Sequence, residues 1–585
     1  MLNSLTLAST QVPVNQPWST AISGIPAGHG LSVAVTGGGT ASIANGVLYA
    51  SFPSAGAQTV TFTDTTTGAT QPISVTSFTP TPVSLSTYTT IFGFGDSITY
   101  GQNSTNYSTT KDHAWLTYVG TAVGATTTAN SGSPGTILQN GILTNGVPQT
   151  NNGRDRYQSH ILTKRDAGFL AYGFNDARYT GGGGQVNVAN YANDYRELLN
   201  GLIIGGYGAA DLHIVAPYYI IDAGLTSGTA DFTGQTRAGF EAHIAAALRV
   251  ATEYGTKYTP AYSYMRDNGY STMVDTDNIH PLDAGHTLIS TAVQTQTFIP
   301  NTAAKPATVS GSVSGTTITA TCAAVSGAVS YDFELINNPV AQASGNSATT
   351  SYDFTSVNSA PYYLKARAVF SDGTKGPWAF STSSYSVVSA SGVFLADSFT
   401  GSSGTPIVEH LPGTGNIWLP AYGFTPTPNA ALDGSGGVFS QTALNAFYRN
   451  TAVPSSADYW VQADFVWKST IASDQPGIAG RMQAGNQAFF FVRWSGSAGG
   501  WQLFKSSTTG TSSQLGSTAT DTFTSGTKTV RLTMVGTTIS AQVNGTTVIS
   551  VTDSSISGAG HAGIRMGNVQ TASTGIHVTN LQAST

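Results

Sequence analysis

The chain has 585 residues, more than one domain usually holds, so its length predicts about three to five domains. Charged residues make up 9% of the chain, against ~25% in typical globular proteins, and the net charge of −6 argues against nucleic-acid binding. The single cysteine, Cys322, excludes an intramolecular disulfide framework and is expected to be a small buried side chain. Since no apolar run reaches about 18 residues, we expect no membrane-spanning helix.

Residues 1–86 contain short runs in which apolar and polar side chains alternate, such as 31–35 and 59–63. Turn-rich stretches, including the three glycines at 37–39, separate these runs. Alternation with a period of two is typical of strands with one buried face, so we predict a small Ig-like β-sandwich. The Thr- and Pro-rich residues 78–82 are the predicted linker to the next domain.

Residues 87–302 alternate between apolar runs of strand length and stretches with helical spacing. Such alternation predicts parallel strands joined by crossover helices. The predicted strands lie at 89–94, near 126, at 167–172 and at 212–216. The predicted helices lie at 114–123, 154–162, 188–203, 234–254 and 282–298.

Four polar segments accompany these elements in a fixed order: Gly-Asp-Ser-Ile-Thr-Tyr-Gly at 95–101, Asn-Ser-Gly-Ser-Pro-Gly at 130–135, Gly-Phe-Asn-Asp at 173–176, and Asp-Asn-Ile-His-Pro at 277–281. An acyl transfer needs a nucleophile, a base, a group that orients the base, and donors for the oxyanion. Ser97, at the end of a predicted buried strand, is the candidate nucleophile, and His280 is the candidate base. Asp277 lies three residues before His280, so one loop can supply both residues and let them hydrogen-bond.

In this order the four segments resemble the sequence blocks of the SGNH (GDSL-type) serine hydrolase family. The resemblance implies a three-layer, flavodoxin-like α/β domain over residues 87–302, with its site at the carboxyl ends of the strands. It also implies an oxyanion hole made of the Ser97 backbone N–H, the Gly135 backbone N–H and the Asn175 side-chain amide. Such chemistry requires no cofactor and no metal, and we expect neither.

Each of these residues also has a purely structural interpretation. Asn175 suits a turn, and Asp176 suits a helix N-cap. His280 could equally be a surface histidine, with Asp277 as a turn former. The other histidines of the region are assigned no function: His113, His160, His213, His243 and His286. The four glycines at 181–184 form either a mobile loop or a lid over the site.

The two C-terminal regions have the patterns of all-β domains. Residues 303–390 resemble a fibronectin type III domain through the run 362–369 and the turn residues that follow it. In residues 391–585, Asn544-Gly545 between two strand-like runs indicates a type I′ hairpin. This region resembles a laminin-G or concanavalin-type jelly roll, for which we predict carbohydrate binding and leave calcium binding open. We predict that most of its tryptophans are core residues: Trp418, Trp460, Trp467, Trp494 and Trp501.

Together these patterns predict a multidomain chain in which an α/β three-layer, flavodoxin-like hydrolase domain is flanked by all-β sandwiches. The resemblance implies a serine esterase that removes acyl groups, O-acetyl above all, from a cell-surface or extracellular polysaccharide. One alternative is a receptor-binding or adhesin tail protein whose hydrolase scaffold is degenerate. Another is a lipase or thioesterase, although the polar residues 102–112 do not favour a lipase.

The composition also bears on where the protein acts. Low charge with abundant Thr, Ser and Gly is typical of β-rich proteins outside the cell. Residues 1–10 have neither the basic segment nor the continuous apolar segment of a secretory signal peptide. We therefore expect a protein that acts outside the cell, either secreted or carried on a phage virion tail. Whether it forms a homo-oligomer or assembles into a virion is left open.

Overall fold

The computed structural model of the chain describes most of its length. The described residues are 5–105, 111–139, 152–179, 187–228, 235–355, 357, 360–387, 392–423, 430–441, 446–469 and 476–585. The chain forms two compact units. The first comprises Met1–Ser310, Ala320–Tyr352 and Leu364–Thr382, and the second comprises Gly311–Thr319, Asp353–Tyr363 and Ser383–Thr585.

The N-terminal residues form two four-stranded sheets. The strands are β1 (Thr6–Leu7), β2 (Gln11–Pro13), β3 (Trp18–Ser23), β4 (Leu31–Val35), β5 (Thr40–Ala44), β6 (Val47–Ser51), β7 (Gly56–Asp64) and β8 (Thr70–Phe78). One sheet has the order β1-β3-β6-β5 and the other the order β2-β8-β7-β4. In β7, Val60 and Phe62 are fully buried and the threonines between and beside them are half-buried. The alternation in the sequence therefore gives each sheet one face toward the core.

The central region contains one sheet of five parallel strands. These strands are β9 (Thr90–Gly95), β10 (Thr127–Gly132), β11 (Ala167–Ala171), β12 (Leu212–Val215) and β13 (Lys257–Thr259). Their order is β10-β9-β11-β12-β13. Counted within the domain, this is the 2-1-3-4-5 order of flavodoxin-like folds. The predicted fold class, an α/β domain accompanied by all-β sandwiches, is confirmed.

Helices connect the parallel strands and cover both faces of the sheet. They are α1 (Ser97–Tyr100), α2 (Trp115–Ala122), α3 (Gly153–Arg156), α4 (Gln158–Leu162), α5 (Val188–Ile204), α6 (Asp222–Leu225), α7 (Arg237–Tyr254), α8 (Ala261–Asp267) and α9 (Asp283–Gln296). Helix α5 packs against α7, and α2 packs against α9. Right-handed crossovers place these two pairs on opposite faces, because the chain reverses its direction across the sheet after β10.

Two predicted helices differ from the observed ones. The predicted helix 154–162 is split at Tyr157, whose ring packs against Gly201, where an added Cβ would lie 2.3 Å from the ring. The predicted helix 234–254 begins only at Arg237, because the Thr236 hydroxyl caps it by accepting a 3.1 Å hydrogen bond from the Gly239 N–H. Residues 229–234 lie outside the described part of the chain.

The described residues between 309 and 386 form eight further strands. They are β14 (Val309–Ser314), β15 (Thr317–Cys322), β16 (Ala328–Asn337), β17 (Val340–Ser347), β18 (Ser351–Phe354), β19 (Pro361–Phe370), β20 (Ala379–Phe380) and β21 (Tyr385–Ser386). One sheet has the order β14-β15-β18, and the other has the order β17-β16-β19-β20 with β21 also on β19. The predicted boundaries of this fibronectin-like region remain a prediction.

The remaining strands form a larger pair of sheets. They are β22 (Val393–Asp397), β23 (Trp418–Pro420), β24 (Ala430–Leu432), β25 (Gly437–Ser440), β26 (Ala446–Asn450), β27 (Tyr459–Trp467), β28 (Gly477–Met482), β29 (Phe489–Ser495), β30 (Gly500–Ser506), β31 (Ser512–Thr520), β32 (Thr527–Val535), β33 (Thr538–Val543), β34 (Thr546–Thr552), β35 (His561–Met566) and β36 (Ile576–Ser584). The eight-stranded sheet runs β24-β25-β36-β27-β32-β33-β34, with β22 also on β36, and the seven-stranded sheet runs β23-β26-β35-β28-β29-β30-β31. The predicted hairpin joins β33 to β34 through Asn544 and Gly545, whose φ angles of 49° and 79° suit a type I′ turn.

Most tryptophans of this region lie in its core, as predicted. Trp418, Trp494 and Trp501 are buried, whereas Trp460 and Trp467 are half-buried. Cys322 in β15 is half-buried, and burial raises the pKa of its thiol to about 11, so it stays protonated at neutral pH. Among the described residues, no helix is long and apolar enough to span a membrane.

Candidate active site

The four polar segments meet at one edge of the parallel sheet. Ser97 follows β9, Gly135 follows β10 and Asn175 follows β11, so all three lie at carboxyl ends of neighbouring strands. The strand order reverses between β9 and β11, which is where open α/β sheets leave a crevice for ligands. The loop between α8 and α9 brings His280 to the same place, where it contacts Ser97.

Ser97 is the first residue of the one-turn helix α1 and is 4% exposed. The preceding Asp96 caps this turn, because its Oδ1 accepts a 2.9 Å hydrogen bond from the Ile98 N–H. Gly101 ends the turn with a φ of 91°, a left-handed conformation that favours glycine. The Gly-Asp-Ser segment and the glycine four residues after the serine therefore build the short turn that presents the hydroxyl.

A continuous chain of hydrogen bonds joins the three predicted catalytic side chains. The His280 Nε2 lies 3.0 Å from the Ser97 Oγ, and the His280 Nδ1 lies 2.6 Å from the Asp277 Oδ2. The Nδ1 donates to the carboxylate, so the neutral ring presents an unprotonated Nε2 to the serine hydroxyl. This is the geometry that a base needs in order to accept the serine proton.

The loop that carries Asp277 and His280 is fixed by its own backbone. The second carboxylate oxygen of Asp277, Oδ1, accepts hydrogen bonds of 2.8 Å from the Ile279 N–H and 2.9 Å from the His280 N–H. Partial burial alone would raise the pKa of Asp277, but the hydrogen bonds from His280 and Ile279 outweigh it and lower this pKa. Asn278 adopts a φ of 61°, which asparagine tolerates better than most residues. Asp277 is therefore held ionised and correctly oriented.

The segment after the nucleophile also contacts this loop, and no local sequence pattern predicts this contact. The Asn103 Nδ2 lies 2.9 Å from the Asp275 Oδ2 and 3.4 Å from the Asp277 Oδ2, so one amide bridges two carboxylates. Two residues later, the Thr105 N–H and hydroxyl each donate a 2.6 Å hydrogen bond to Asp283 at the start of α9. The stretch that follows Ser97 is thus tied directly to the stretch that carries His280.

The two remaining predicted residues, Gly135 and Asn175, lie close together. The Asn175 Nδ2 donates a 3.0 Å hydrogen bond to the carbonyl oxygen of Thr136, the residue after Gly135. Gly135 has a φ of 73°, while an added Cβ would meet no atom within 4 Å. Within the protein, the requirement for glycine at this position is therefore the left-handed backbone.

Two buried carboxyl groups lie beneath the site. The structural interpretation of Asp176 as a helix N-cap is wrong. Its carboxylate instead accepts hydrogen bonds from the Leu138 and Gln139 N–H groups at 3.0 and 3.2 Å. It therefore fastens the segment after Gly135 to the turn that carries Asn175. Burial raises the pKa of Asp176 to about 6. Burial, together with the charge of the nearby Asp176, raises the pKa of Asp96 to about 7.

Two of the other histidines of the region, His286 and His160, are packed away from the catalytic set. His286 is buried, its Nδ1 accepts a 3.4 Å hydrogen bond from the Trp115 N–H, and burial lowers its pKa to about 4. His160 stacks on Phe92, with 4.1 Å between the ring centroids. His113 instead pairs with Asp283, its Nδ1 lying 2.9 Å from the carboxylate. The glycines at 181–184, predicted as a mobile loop or a lid, lie outside the described residues.

A family comparison agrees with the position of this site. Residues 94–288 match the GDSL-like lipase/acylhydrolase family model. This GDSL-like domain contains the whole hydrogen-bonded set from Ser97 to His280, and the match supports hydrolysis of esters. No curated protein matches the chain.

Comparison with solved structures finds matches at low similarity. A carbohydrate-binding module, CBM66, from Bacillus subtilis is 14% identical, with a TM-score of 0.23 over 29% of this chain and 95% of that chain. The galectin LEC-6 of Caenorhabditis elegans is 17% identical, with a TM-score of 0.19 over 25% of this chain and 94% of its own. A sialidase is 13% identical, with a TM-score of 0.23 over 38% of this chain and 21% of that chain.

Proposed function

We propose that the chain is a serine esterase that hydrolyses acyl esters, with O-acetyl esters of an extracellular polysaccharide as its substrate class. The observation that carries the proposal is the unbroken chain from the Ser97 Oγ through His280 to Asp277, with distances of 3.0 and 2.6 Å. In this proposal Ser97 is the nucleophile, His280 the base and Asp277 the orienting carboxylate.

The reaction proceeds in two acyl-transfer steps. His280 accepts the Ser97 proton while the Ser97 Oγ attacks the ester carbonyl carbon, and the carbonyl oxygen becomes an oxyanion. The backbone N–H groups of Ser97 and Gly135 and the Asn175 Nδ2 donate to that oxyanion. The C–O bond of the ester then breaks, and His280 returns its proton to the departing sugar hydroxyl. In the second step, water loses a proton to His280 and attacks the acyl carbon of the acyl-enzyme. The bond from that carbon to the Ser97 Oγ then breaks, and His280 returns the proton to this oxygen, which releases the acid and regenerates Ser97 and the neutral base.

The proposed substrate class rests on the surroundings of the site and on the accessory domains. The stretch after the nucleophile, Gln102 to Thr105, is polar throughout, which suits a hydroxyl-rich substrate better than a lipid chain. The β-sandwich regions outside residues 94–288 occupy well over half of the chain. We propose that they hold the polymer, and that the protein acts outside the cell, with a virion tail as one such location.

The degenerate-scaffold alternative is not favoured by the site. A receptor-binding protein that had lost its activity would have no need to keep the His280 contacts to both Ser97 and Asp277 at hydrogen-bonding distance. A lipase or thioesterase would use the same catalytic set, so only the choice of substrate separates these enzymes from the proposed one.

The test is the release of acid from defined esters by the full-length protein. We expect acetate from acetylated polysaccharides, none from the same polymers after chemical deacetylation, and none from either with Ser97→Ala. On p-nitrophenyl esters, the rate should fall as the acyl chain lengthens from acetate. A rate that rises with chain length would favour a lipase, and equal acetate release by wild type and Ser97→Ala would overturn the proposed mechanism.

A further inference from the structure

Arg178 is a buried cation that the reaction outlined above does not use. It follows Asn175 by three residues in the turn after β11 and is 2% exposed. Burial lowers the pKa of its guanidinium to about 10, which still leaves it charged at neutral pH. A buried charge is costly unless its donors are satisfied by well-placed acceptors, so its contacts indicate its role.

Three of those contacts lie around the site. The Arg178 Nη1 donates a 3.3 Å hydrogen bond to the Asn175 Oδ1, and the Nε donates a 3.0 Å bond to the Gly224 carbonyl oxygen. The Nη2 donates to the Ser227 carbonyl oxygen. The Ser227 hydroxyl in turn donates a 3.0 Å hydrogen bond to the backbone carbonyl of Asp277. One guanidinium thereby connects the predicted oxyanion-hole amide to the segment that supports the catalytic carboxylate.

Arg178 and the Thr136 carbonyl oxygen contact opposite ends of the Asn175 amide, and together they set which end faces the substrate. An asparagine side chain has an acceptor oxygen and a donor NH2 group, and a rotation of half a turn exchanges them. A guanidinium has donors only, so the Asn175 Oδ1 must face Arg178. On the opposite side the Nδ2 gives one hydrogen to Thr136 and retains its second hydrogen for another acceptor. In the reversed orientation, two donors would face each other and an oxygen would face the oxyanion.

We propose that Arg178 is a positioning residue, which holds the Asn175 amide with its NH2 group toward the oxyanion and secures the segment 224–227 behind Asp277. This inference rests on the proposed esterase function. Arg178 acts through Asn175, so its loss should weaken transition-state stabilisation and leave binding of the ground-state ester largely unchanged. Arg178→Lys keeps the positive charge but has its hydrogen-bond donors on one nitrogen, whereas Arg178→Met keeps only the apolar part of the side chain.

The test is a double-mutant cycle on the full-length protein with p-nitrophenyl acetate. Asn175→Ala should lower kcat roughly 10²–10³-fold, the loss typical of one oxyanion donor. Arg178→Met should lower kcat about 10–100-fold with KM changed less than about threefold, and Arg178→Lys should recover part of that loss. When Asn175 is already alanine, Arg178→Met should change kcat by less than about threefold, because the amide that it orients is gone.

Controls separate positioning from general stability. Arg249→Met removes another largely buried guanidinium, in α7, which pairs with Glu253, and should leave kcat near wild type. Thermal melts identify any variant that fails to fold. If Arg178→Met does not fold, the cycle is completed with Arg178→Lys, Asn175→Ala and the double variant Arg178→Lys/Asn175→Ala. Multiplicative effects of the two substitutions, or an Arg178 effect confined to KM, would overturn the positioning role. Ser97→Ala in the same assay tests the underlying proposal. If Ser97→Ala has a wild-type rate, the esterase mechanism and the Arg178 role are both overturned. If Ser97→Ala is inactive, the double-mutant cycle decides whether Arg178 positions Asn175.

Discussion

His280 connects two other side chains, so substitutions along this chain of hydrogen bonds should differ in severity. His280→Ala removes the base, and we expect kcat on p-nitrophenyl acetate to fall by about four orders of magnitude. Asp277→Asn keeps the shape of the side chain but removes the carboxylate that orients the His280 ring, so kcat should fall somewhat less than in His280→Ala. His113→Ala is the matched control and should keep nearly full activity, because His113 contacts Asp283 rather than Ser97. A folded His280→Ala protein with a wild-type rate would contradict the assigned role.

Asp96 should make the stability of the protein depend on pH. Burial raises its pKa to about 7, whereas an aspartate in the unfolded chain ionises near pH ~4. Between these pH values the folded state holds a proton that the unfolded state has lost, so the free energy of unfolding falls as pH rises. Asp96→Asn cannot ionise, and its stability relative to wild type should therefore increase from about pH 4 to about pH 7.

Denaturant unfolding at several pH values measures this difference between Asp96→Asn and wild type. The expected slope is about 1.4 kcal/mol per pH unit wherever the two states differ by a full proton. Asp112→Asn, an exposed position, should show the same pH dependence as wild type. Parallel curves for Asp96→Asn and wild type would mean that Asp96 is ionised in the folded protein throughout this range.

The sequence alone could point to candidate site residues that lie in short, local sequence motifs. Ser97, Gly135, Asn175, Asp277 and His280 each lie in a short segment, and the structure brings these segments together. Asn103 and Arg178 were missed because their partners, Asp275 and Gly224, lie far along the chain and no local spacing connects them. Their assignment depends on which loops the fold places side by side.

At the scale of elements, the alternation of strands and helices could be predicted but their boundaries could not. The spacing of apolar side chains on one face predicts helix α5 at 188–203, and the helix lies at Val188–Ile204. The split at Tyr157, whose ring packs against Gly201, has no local signal. The family resemblance implied a flavodoxin-like fold, but periodicity does not determine which strands are neighbours, and the short strand β13 was not predicted.

The contact between the segment after α1 and the loop before α9 should affect catalysis. Asn103 has a φ of 64°, so Asn103→Gly keeps its backbone conformation while removing the amide that bridges Asp275 and Asp277. A hydrogen bond to a charged group contributes ~1.5–3 kcal/mol, so we expect kcat to fall roughly 10–100-fold with little change in KM. Asn103→Asp would bring a third carboxylate to this point and should be at least as harmful. Activity of Asn103→Gly equal to wild type would show that Asp277 is held without this amide.

Within the first compact unit, the GDSL-like domain shares its hydrophobic core with segments that lie before and after it in the sequence. A single cluster of buried apolar side chains includes Trp18 of β3, Ala247 of α7 and Trp378. Hydrogen bonds join the same segments to α7. The Ser19 hydroxyl donates a 3.1 Å bond to the Ala245 carbonyl oxygen, and the Trp378 backbone N–H donates a 2.9 Å bond to the Glu253 carbonyl oxygen. Segments before and after residues 87–302 therefore cover helix α7.

This continuity predicts that residues 87–302 are not a stable fragment. Each large apolar side chain that loses its cover costs about 1.5–3 kcal/mol, and the cut exposes α7 on the sides that face Ser19 and Trp378. A fragment of residues 1–390 keeps these contacts. Thermal melts and limited proteolysis should show a much lower melting temperature and faster cleavage for 87–302 than for 1–390. Equal melting temperatures would mean that these packed segments contribute little to stability.

The fragment 1–390 then allows catalysis to be separated from targeting. All five predicted site residues lie between Ser97 and His280, so this fragment should keep the full-length rate on p-nitrophenyl acetate. The sheets of residues 391–585 contribute none of these residues, and we propose that they hold the polymer and raise its effective concentration near the site. Acetate release from an acetylated polysaccharide at low concentration should therefore fall at least tenfold in the fragment, through a higher KM. High polymer concentration should restore the rate, because an effective-concentration advantage disappears once substrate saturates the site. Equal activity of both proteins on the dilute polymer would instead assign residues 391–585 a structural or assembly role.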